Sequence, residues 1–449
     1  MAEPGGTEPV HRATPAGGAA VPRETMEPGN RVVENTLWQF VDRILRLVGG
    51  FAITVAVVRY LGPESFGRLS YAVAFVSLLS PLANLGLDSI VIRELVRRTG
   101  EAPRLLGTSV GLKTAGGLVA LAAAFLLAGP IVHDTLTRAL IVAVAIGPVF
   151  QALDVIDFWF QSRLEMKWSV LARDAAFLAA AGLRVGLILA GLPLLLFAWA
   201  NSIELALGAA ALAAAYALRR GRRAGWSFDA TEARALLRDA WPFIFSNAMI
   251  MLYMRIDQLM IGQMVGATEL GVYSVAVRLT EAWYFIPMAI AGSLFPDIVR
   301  ARASGDAAFE AALLKLYRVM ALVSYAVAIP TTLLAGPVIH LAFGDAYARS
   351  VPILQVLVWS FLWTSLGVAR SQFLTAMNWA KIHLVTVTLG AATNIALNLL
   401  LIPRYGALGA AYATFVAYWL AAHGSCFLIA PLRRTGVLLT RAMVAPRIG

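Results

Sequence analysis

Apolar residues gather into twelve runs, most of them about twenty residues long, separated by short polar connections. A helix needs about that length to cross a hydrocarbon core ~30 Å thick. No stretch shows the short apolar/polar alternation of a spanning β-barrel. The pattern predicts an all-α integral membrane protein with about twelve spans, at 36–60, 68–90, 107–129, 138–160, 172–190 and 194–216, then at 240–262, 272–296, 313–335, 351–376, 381–402 and 407–430. The second and eighth contain Pro81 and Pro287, which membrane helices accommodate as kinks.

Composition supports this. Of 449 residues, 59% are hydrophobic and 14% charged, with a mean hydropathy of +0.73. A soluble chain of this size needs a more polar shell. The formal net charge of +11 raises the question of nucleic acid. The layout of the charges answers it. Of 37 Lys and Arg, 27 lie in the termini and the connections sharing their side, 5 in the opposite connections, and 5 within spans. Basic residues spread over every loop of one side mark a cytoplasmic face, not a nucleic-acid patch. Both termini are thus expected in the cytoplasm. Residues 1–30, rich in Pro, Gly and Ala, read as a disordered tail, and no cleavable signal peptide is expected. The single cysteine, Cys426, allows no internal disulfide.

The two halves echo each other. Leu61-Gly62-Pro63-Glu64-Ser65-Phe66-Gly67, with Ser70, Ala72 and Val73, follows the first span; Val265-Gly266-Ala267-Thr268-Glu269-Leu270-Gly271, with Ser274, Ala276 and Val277, follows the seventh. One offset, 204 residues, aligns both glycines, the serine and the Ala-Val pair. The reading is of two pseudo-symmetric six-helix lobes, 31–218 and 240–431, around a central cavity. A basic cytoplasmic linker (219–239) joins them, and a cytoplasmic tail (432–449) follows. Parallel repeats of this kind put the ligand between the lobes near mid-membrane.

At these same segments the chain resembles the polysaccharide-biosynthesis flippases, O-antigen and capsule types included. The matching residues are Leu37-Trp38, Arg59-Tyr60-Leu61-Gly62-Pro63-Glu64-Ser65-Phe66-Gly67, Leu85-Gly86-Leu87 and Arg93-Glu94 in the first half. In the second they are Tyr253-Met254-Arg255-Ile256-Asp257-Gln258, Gly271-Val272-Tyr273-Ser274, Arg278-Leu279, Glu281-Ala282-Trp283-Tyr284-Phe285-Ile286-Pro287 and Phe295-Pro296. Further on come Asn394-Ile395-Ala396-Leu397-Asn398, Ile402-Pro403, Tyr405-Gly406 and Gly409-Ala410-Ala411. The resemblance implies the multidrug/oligosaccharidyl-lipid/polysaccharide flippase fold. It implies movement of an undecaprenyl-diphosphate-linked oligosaccharide from the inner to the outer leaflet of a bacterial cytoplasmic membrane. Implied partners are that polyprenyl-linked glycan, membrane lipids and polysaccharide polymerase machinery.

Charges inside spans are costly and are the first candidates for function. Arg43, Arg46, Gly50 and Thr54 share one face of the first helix. Either Asp42 neutralises Arg46 at i,i+4, or Arg43 and Arg46 face the cavity and hold a diphosphate. Arg255 and Gln258 form a second polar stripe, and Asp257, about 200° round from Arg255, needs a partner elsewhere. Arg278 and Glu281, three apart, are expected to pair. Asn394 and Asn398 either join helices or contact sugar. Asp154 and Asp157 are either solvated carboxylates near Arg163 or, with Asp257, sites for a coupling Na+ or H+. Asp88 and Glu204 have no evident local partner. No cofactor, metal or enzyme motif is expected, and His133-Asp134 alone makes no site. Alternative readings are a cation-coupled drug antiporter of the same fold, whose cavity should be anionic or aromatic, and a membrane glycosyl-transfer enzyme. The latter needs a large external loop that this chain lacks.

Overall fold

The structure, a computed structural model, describes residues 28–220, 225–377 and 379–446. Its helices are α1 (Pro28–Asn84), α2 (Asp88–Arg97), α3 (Ala102–Ile131), α4 (Thr135–Ala145), α5 (Gly147–Phe150), α6 (Val155–Ser162), α7 (Met166–Leu189) and α8 (Leu194–Arg220). After the linker come α9 (Ala230–Met264), α10 (Ala267–Glu281), α11 (Phe285–Ser304), α12 (Asp306–Phe343), α13 (Ser350–Ala376), α14 (Ala380–Tyr405), α15 (Ala407–Trp419), α16 (Ser425–Leu428) and α17 (Arg433–Val444). Among the described residues there is no strand.

Among the described residues, eight helices are long and apolar enough to cross a membrane, or nine if the bent pair ending in α17 counts as one span. α1 hides two rods in one. At Gly62 its backbone leaves the helix (φ 69°, ψ 172°), a conformation that costs glycine least, and Pro63 starts the second arm. Splitting α1 there and adding α7 and α9, whose charges depress their hydropathy, is compatible with the twelve spans counted along the sequence.

Positive-φ glycines (Gly62, Gly191, Gly266, Gly344 and Gly406) turn the chain at one end of the bundle. The other end carries the basic loops. Much of the apolar core lies between the lobes rather than inside either: Val58, Phe66 and Ala72 of the first half pack in one cluster with Tyr273, Ile339 and Tyr347 of the second.

Two segments differ from the sequence reading. The stretch read as a linker up to residue 239 starts α9 at Ala230 and is bound to the first lobe. Asp229 caps α9 by accepting from the Glu232 amide (2.8 Å), and its own amide donates to Thr108 Oγ1 (3.1 Å). Glu232, 5% exposed, receives Arg98 through both terminal nitrogens at 3.1 and 2.9 Å. That hydrogen bond holds the Arg98 guanidinium above its ordinary pKa. A Cβ on Gly107 would lie 2.6 Å from the Ser227 carbonyl oxygen, so the linker lies directly on α3. The segment read as a tail likewise carries α17, which turns 103° from the preceding helix and buries Leu438, Leu439 and Ala442. Arg434 pairs with Glu310 of α12, and Tyr325 donates to the Met443 carbonyl (3.2 Å).

Candidate functional site

The repeat motifs meet face to face at the glycine-turn end. A Cβ on Gly67 would stand 1.8 Å from the Ala267 carbonyl oxygen, and a Cβ on Gly271 would stand 1.9 Å from that of Pro63. Pro63 and Ala267 are themselves repeat equivalents, as are the two glycines. The contact is reciprocal, as across a two-fold axis, and only glycine permits backbones so close. Around it, Arg59 donates to the Leu341 carbonyl (2.6 Å), Tyr347 to that of Val58 (3.0 Å), and Gln263 to Tyr71 Oη (2.6 Å). This end is shut.

Two cavities lie beneath the closure. One, about 140 Å³, is lined by Ser70, Val73, Arg255, Gln258, Ser274, Val277, Arg278 and Glu281 from both lobes. The repeat-related pairs Ser70/Ser274 and Val73/Val277 face each other in it, so the pseudo-axis runs through this space. Both serine hydroxyls are buried without a protein partner. The other cavity, about 270 Å³, is lined by Gly50, Thr54, Arg184, Asn201, Glu204 and again Val73 and Arg278.

Most lumen charges cancel. Arg255 grips Glu281 with both terminal nitrogens (3.0 and 3.2 Å), and Arg184 pairs with Glu204 (2.7 Å) and reaches Asn201 (3.0 Å). Arg278, expected to pair with Glu281, is thereby left without a carboxylate within 4 Å among the described residues. It lies over the Phe66 ring of the other lobe, 5.5 Å from its centroid. Arg43 is also free of carboxylates among the described residues, and reaches across the lobes to sit 5.3 Å above Phe285. Arg46, by contrast, is neutralised: Nε meets Asp42 at 2.5 Å and Nη2 meets Asp174 at 3.4 Å.

The remaining sequence candidates are scattered. Gln258 lines the smaller cavity, but Asn394 and Asn398 do not; both are wholly buried in the second lobe. Asn398 donates to Asn394 (2.9 Å), whose amide approaches Thr414 Oγ1 (3.4 Å). Thr414 also donates to Asp257 (3.2 Å), which accepts from Tyr273 Oη and from the Gln258 amide (2.7 Å) as well. Asp257 and the asparagines thus form one buried network, with a pocket of about 20 Å³ beside Asp257. The asparagines join α14 to α15 and α9 there and line neither cavity. Asp157 is not a free twin of Asp154: Ser169, Gln161 (3.0 Å) and Arg173 (3.3 Å) all engage it, while Arg163 stacks instead on Trp159. Asp154 is half-buried one turn earlier. Asp88 pairs with Lys113 at 3.1 Å.

The family model described as "Polysaccharide biosynthesis protein" matches residues 32–302, more than half of the chain. The chain belongs to that family. A second model, MatE, matches residues 242–400. The chain is 23% identical over 401 residues to the "Putative O-antigen transporter" of Shigella flexneri, covering 85% of this chain and 93% of that one. It is 24% identical over 410 residues to the "Probable flippase AglR" of Haloferax volcanii, covering 84% and 79%. Its fold is similar to an inward-facing multidrug resistance MATE family transporter (TM-score 0.68, 17% identity, 90% and 99% covered). It is equally similar to the lipid II flippase MurJ in an inward closed conformation (TM-score 0.68, 14% identity, 92% and 91% covered). The fold is the one that these two transporter structures share.

The sequence places Arg278 in the motif but pairs it with Glu281 at i,i+3, so its unpaired state is not visible there. The competing partner of Glu281 lies 26 residues away on another helix, which no local spacing reveals.

Proposed function

We propose that this chain is a flippase that carries an undecaprenyl-diphosphate-linked oligosaccharide from the inner to the outer leaflet of a bacterial cytoplasmic membrane by alternating access. One observation carries the reading. The lumen's other arginines are matched by carboxylates, leaving Arg43 and Arg278 as unpaired guanidiniums that face the opposite lobe. A guanidinium fork suits a diphosphate, whereas a cationic drug would meet repulsion. The unpartnered Ser70 and Ser274 hydroxyls supply two more donors on the pseudo-axis. With both termini in the cytoplasm, the shut glycine-turn end faces outward and the cavity loads from within. The polyprenyl tail stays in lipid where α1 and α11 face each other, the gap Arg43 bridges to reach Phe285.

Asp257 is our candidate for coupling to Na+ or H+. Its carboxylate is met by the neutral donors Tyr273, Thr414 and the Gln258 amide, and Asn398 Oδ1 stands unpartnered nearby as a further acceptor. Polymerase machinery would receive the translocated glycan.

The test is translocation of a defined lipid-linked glycan in reconstituted vesicles, with and without an ion gradient. Arg278→Ala and Arg43→Ala should each slow it at least ten-fold at unchanged protein level, with Arg278→Lys recovering part of the rate. If both alanine variants transport normally, the diphosphate reading is wrong.

A further inference from the structure

Arg370, in the last two turns of α13, is 2% exposed. Among the described residues no carboxylate approaches its guanidinium within 4 Å. Its partners are neutral. Nη1 donates to Ser425 Oγ (3.0 Å) and lies 3.6 Å from Cys426 Sγ, and Nη2 donates to Thr386 Oγ1 (2.9 Å). Both hydroxyls spend their own hydrogens on backbone carbonyls, Ser425 on Ala421 (3.0 Å) and Thr386 on His383 (2.9 Å). Nε has no partner at all. An arginine does not shed its proton, so a full positive charge sits in the interior uncompensated.

The surroundings repeat the imbalance. Tyr317 Oη, Trp363 Nε1 and His383 Nδ1 are buried without partners. Tyr317, Trp363 and Cys426 pack in one cluster, with Cys426 against Arg370 Nη1. His383 is linked to Arg370 through Thr386, and Trp363 stacks near His423, 5.9 Å between centroids. All three orphan atoms can donate a hydrogen bond. His423 differs: its Nε2 bonds Thr440 Oγ1 (2.9 Å), whose hydrogen goes to Gly436, so Nδ1 keeps a lone pair. At this level α15 gives way to a π-turn, Leu420–Gly424, a feature that recurs at functional positions in helices. The end of α16 supplies only the partial charge of helix carbonyls, about half an electron at most. Surplus donors around a surplus cation are complemented by an anion.

We infer that Arg370, with Tyr317 and Trp363, holds a buried monovalent inorganic anion of the halide class in the second lobe. The site is separate from the lumen and does not depend on what the lumen carries.

The test uses the full-length protein purified in detergent, with sodium chloride exchanged for sodium gluconate at constant ionic strength. The expected result is a melting temperature that rises with chloride or bromide and saturates, as for a ligand bound only by the folded state. Gluconate should have no such effect. Radiolabelled halide should be retained at one equivalent per chain. Arg370→Gln should abolish the halide dependence, while Tyr317→Phe and Trp363→Phe, which keep the rings, should weaken halide affinity at least three-fold each. Equal melting in chloride and gluconate with no retained halide overturns the inference. So does stabilisation by sulfate but not by halide. Should Arg370→Gln not fold, unchanged halide affinity in both aromatic variants overturns it as well.

Discussion

The two ends of the molecule hold the lobes together in different ways. At the glycine-turn end, backbone meets backbone, carbonyl oxygens sit where Cβ atoms would be, and a shared apolar core fills in behind. At the basic end, long charged side chains do the bridging: Arg98 and Arg104 to Glu232, Arg93 to Asp239, and Arg43 to the Phe285 ring. Backbone contacts of the first kind tolerate almost no change of distance. Ion pairs on flexible stems tolerate several ångströms. The comparison teaches that closure is all-or-none at one end and graded at the other, which is what a carrier needs if it seals one side while the other admits cargo of varying bulk.

The contrast can be broken most forcefully at the glycines. Gly67→Leu or Gly271→Leu should prevent closure, because overlap with backbone cannot be relieved by a rotamer change. Overpacking costs about 1–3 kcal/mol even where neighbours yield, and here they cannot. A cysteine at Val73, in a Cys426→Ala background, should then react with a membrane-impermeant maleimide from the glycine-turn side. Unchanged protection would mean that the backbone contact is not the seal.

A smaller effect is expected from the basic end. Glu232→Gln removes a buried charge from between two arginines, and a loss of about 2 kcal/mol, below the 3–5 typical of fully buried pairs, should appear as a lower melting temperature. Because α9 would no longer be fastened to the first lobe, transport should fall with it. A variant that melts normally would show that packing of Ser227 on Gly107 and Phe228 on Gly111 alone holds the linker.

Smallest is Asp134, which caps α4 by accepting from the Thr137 amide (3.1 Å) and hydroxyl. Asp134→Ala should cost about 1 kcal/mol. The Thr137 hydroxyl bond, the amide and Arg68 hold its carboxyl below the ordinary carboxylate pKa of 3.8. A lowered folded-state value means the cap's contribution is fully present above pH 3.8 and is lost as pH falls below it. Wild type and variant should therefore keep a constant difference between pH 5 and 8 and converge in stronger acid. Convergence already at pH 6 would contradict the assignment.

The spans and the repeat were legible because lipid imposes a length on every apolar run and because an offset of 204 residues survives in small residues that cannot be exchanged. α17 was not legible: it is short, mixes three arginines with its apolar face, and owes its place to α12. In the site, the Arg255 and Gln258 stripe was readable from helical spacing. Which arginine stays unpaired was not, because Glu281 chooses between a neighbour on its own helix and one on α9, and tertiary geometry decides. The burial of Arg370 is not legible either, since nothing local distinguishes a cation at a helix end from one turned inward.

The reciprocal Gly67 and Gly271 contacts have a mechanical corollary. Two fixed points define a line, and two rigid bodies touching along a line keep one freedom, rotation about it. While both glycines remain seated, the lobes can swing like a door on two pins, varying the aperture at the far end without lifting either pin. Releasing the pins is then a separate event, with its own energy and its own trigger. Loading and delivery need not share a rate-limiting step.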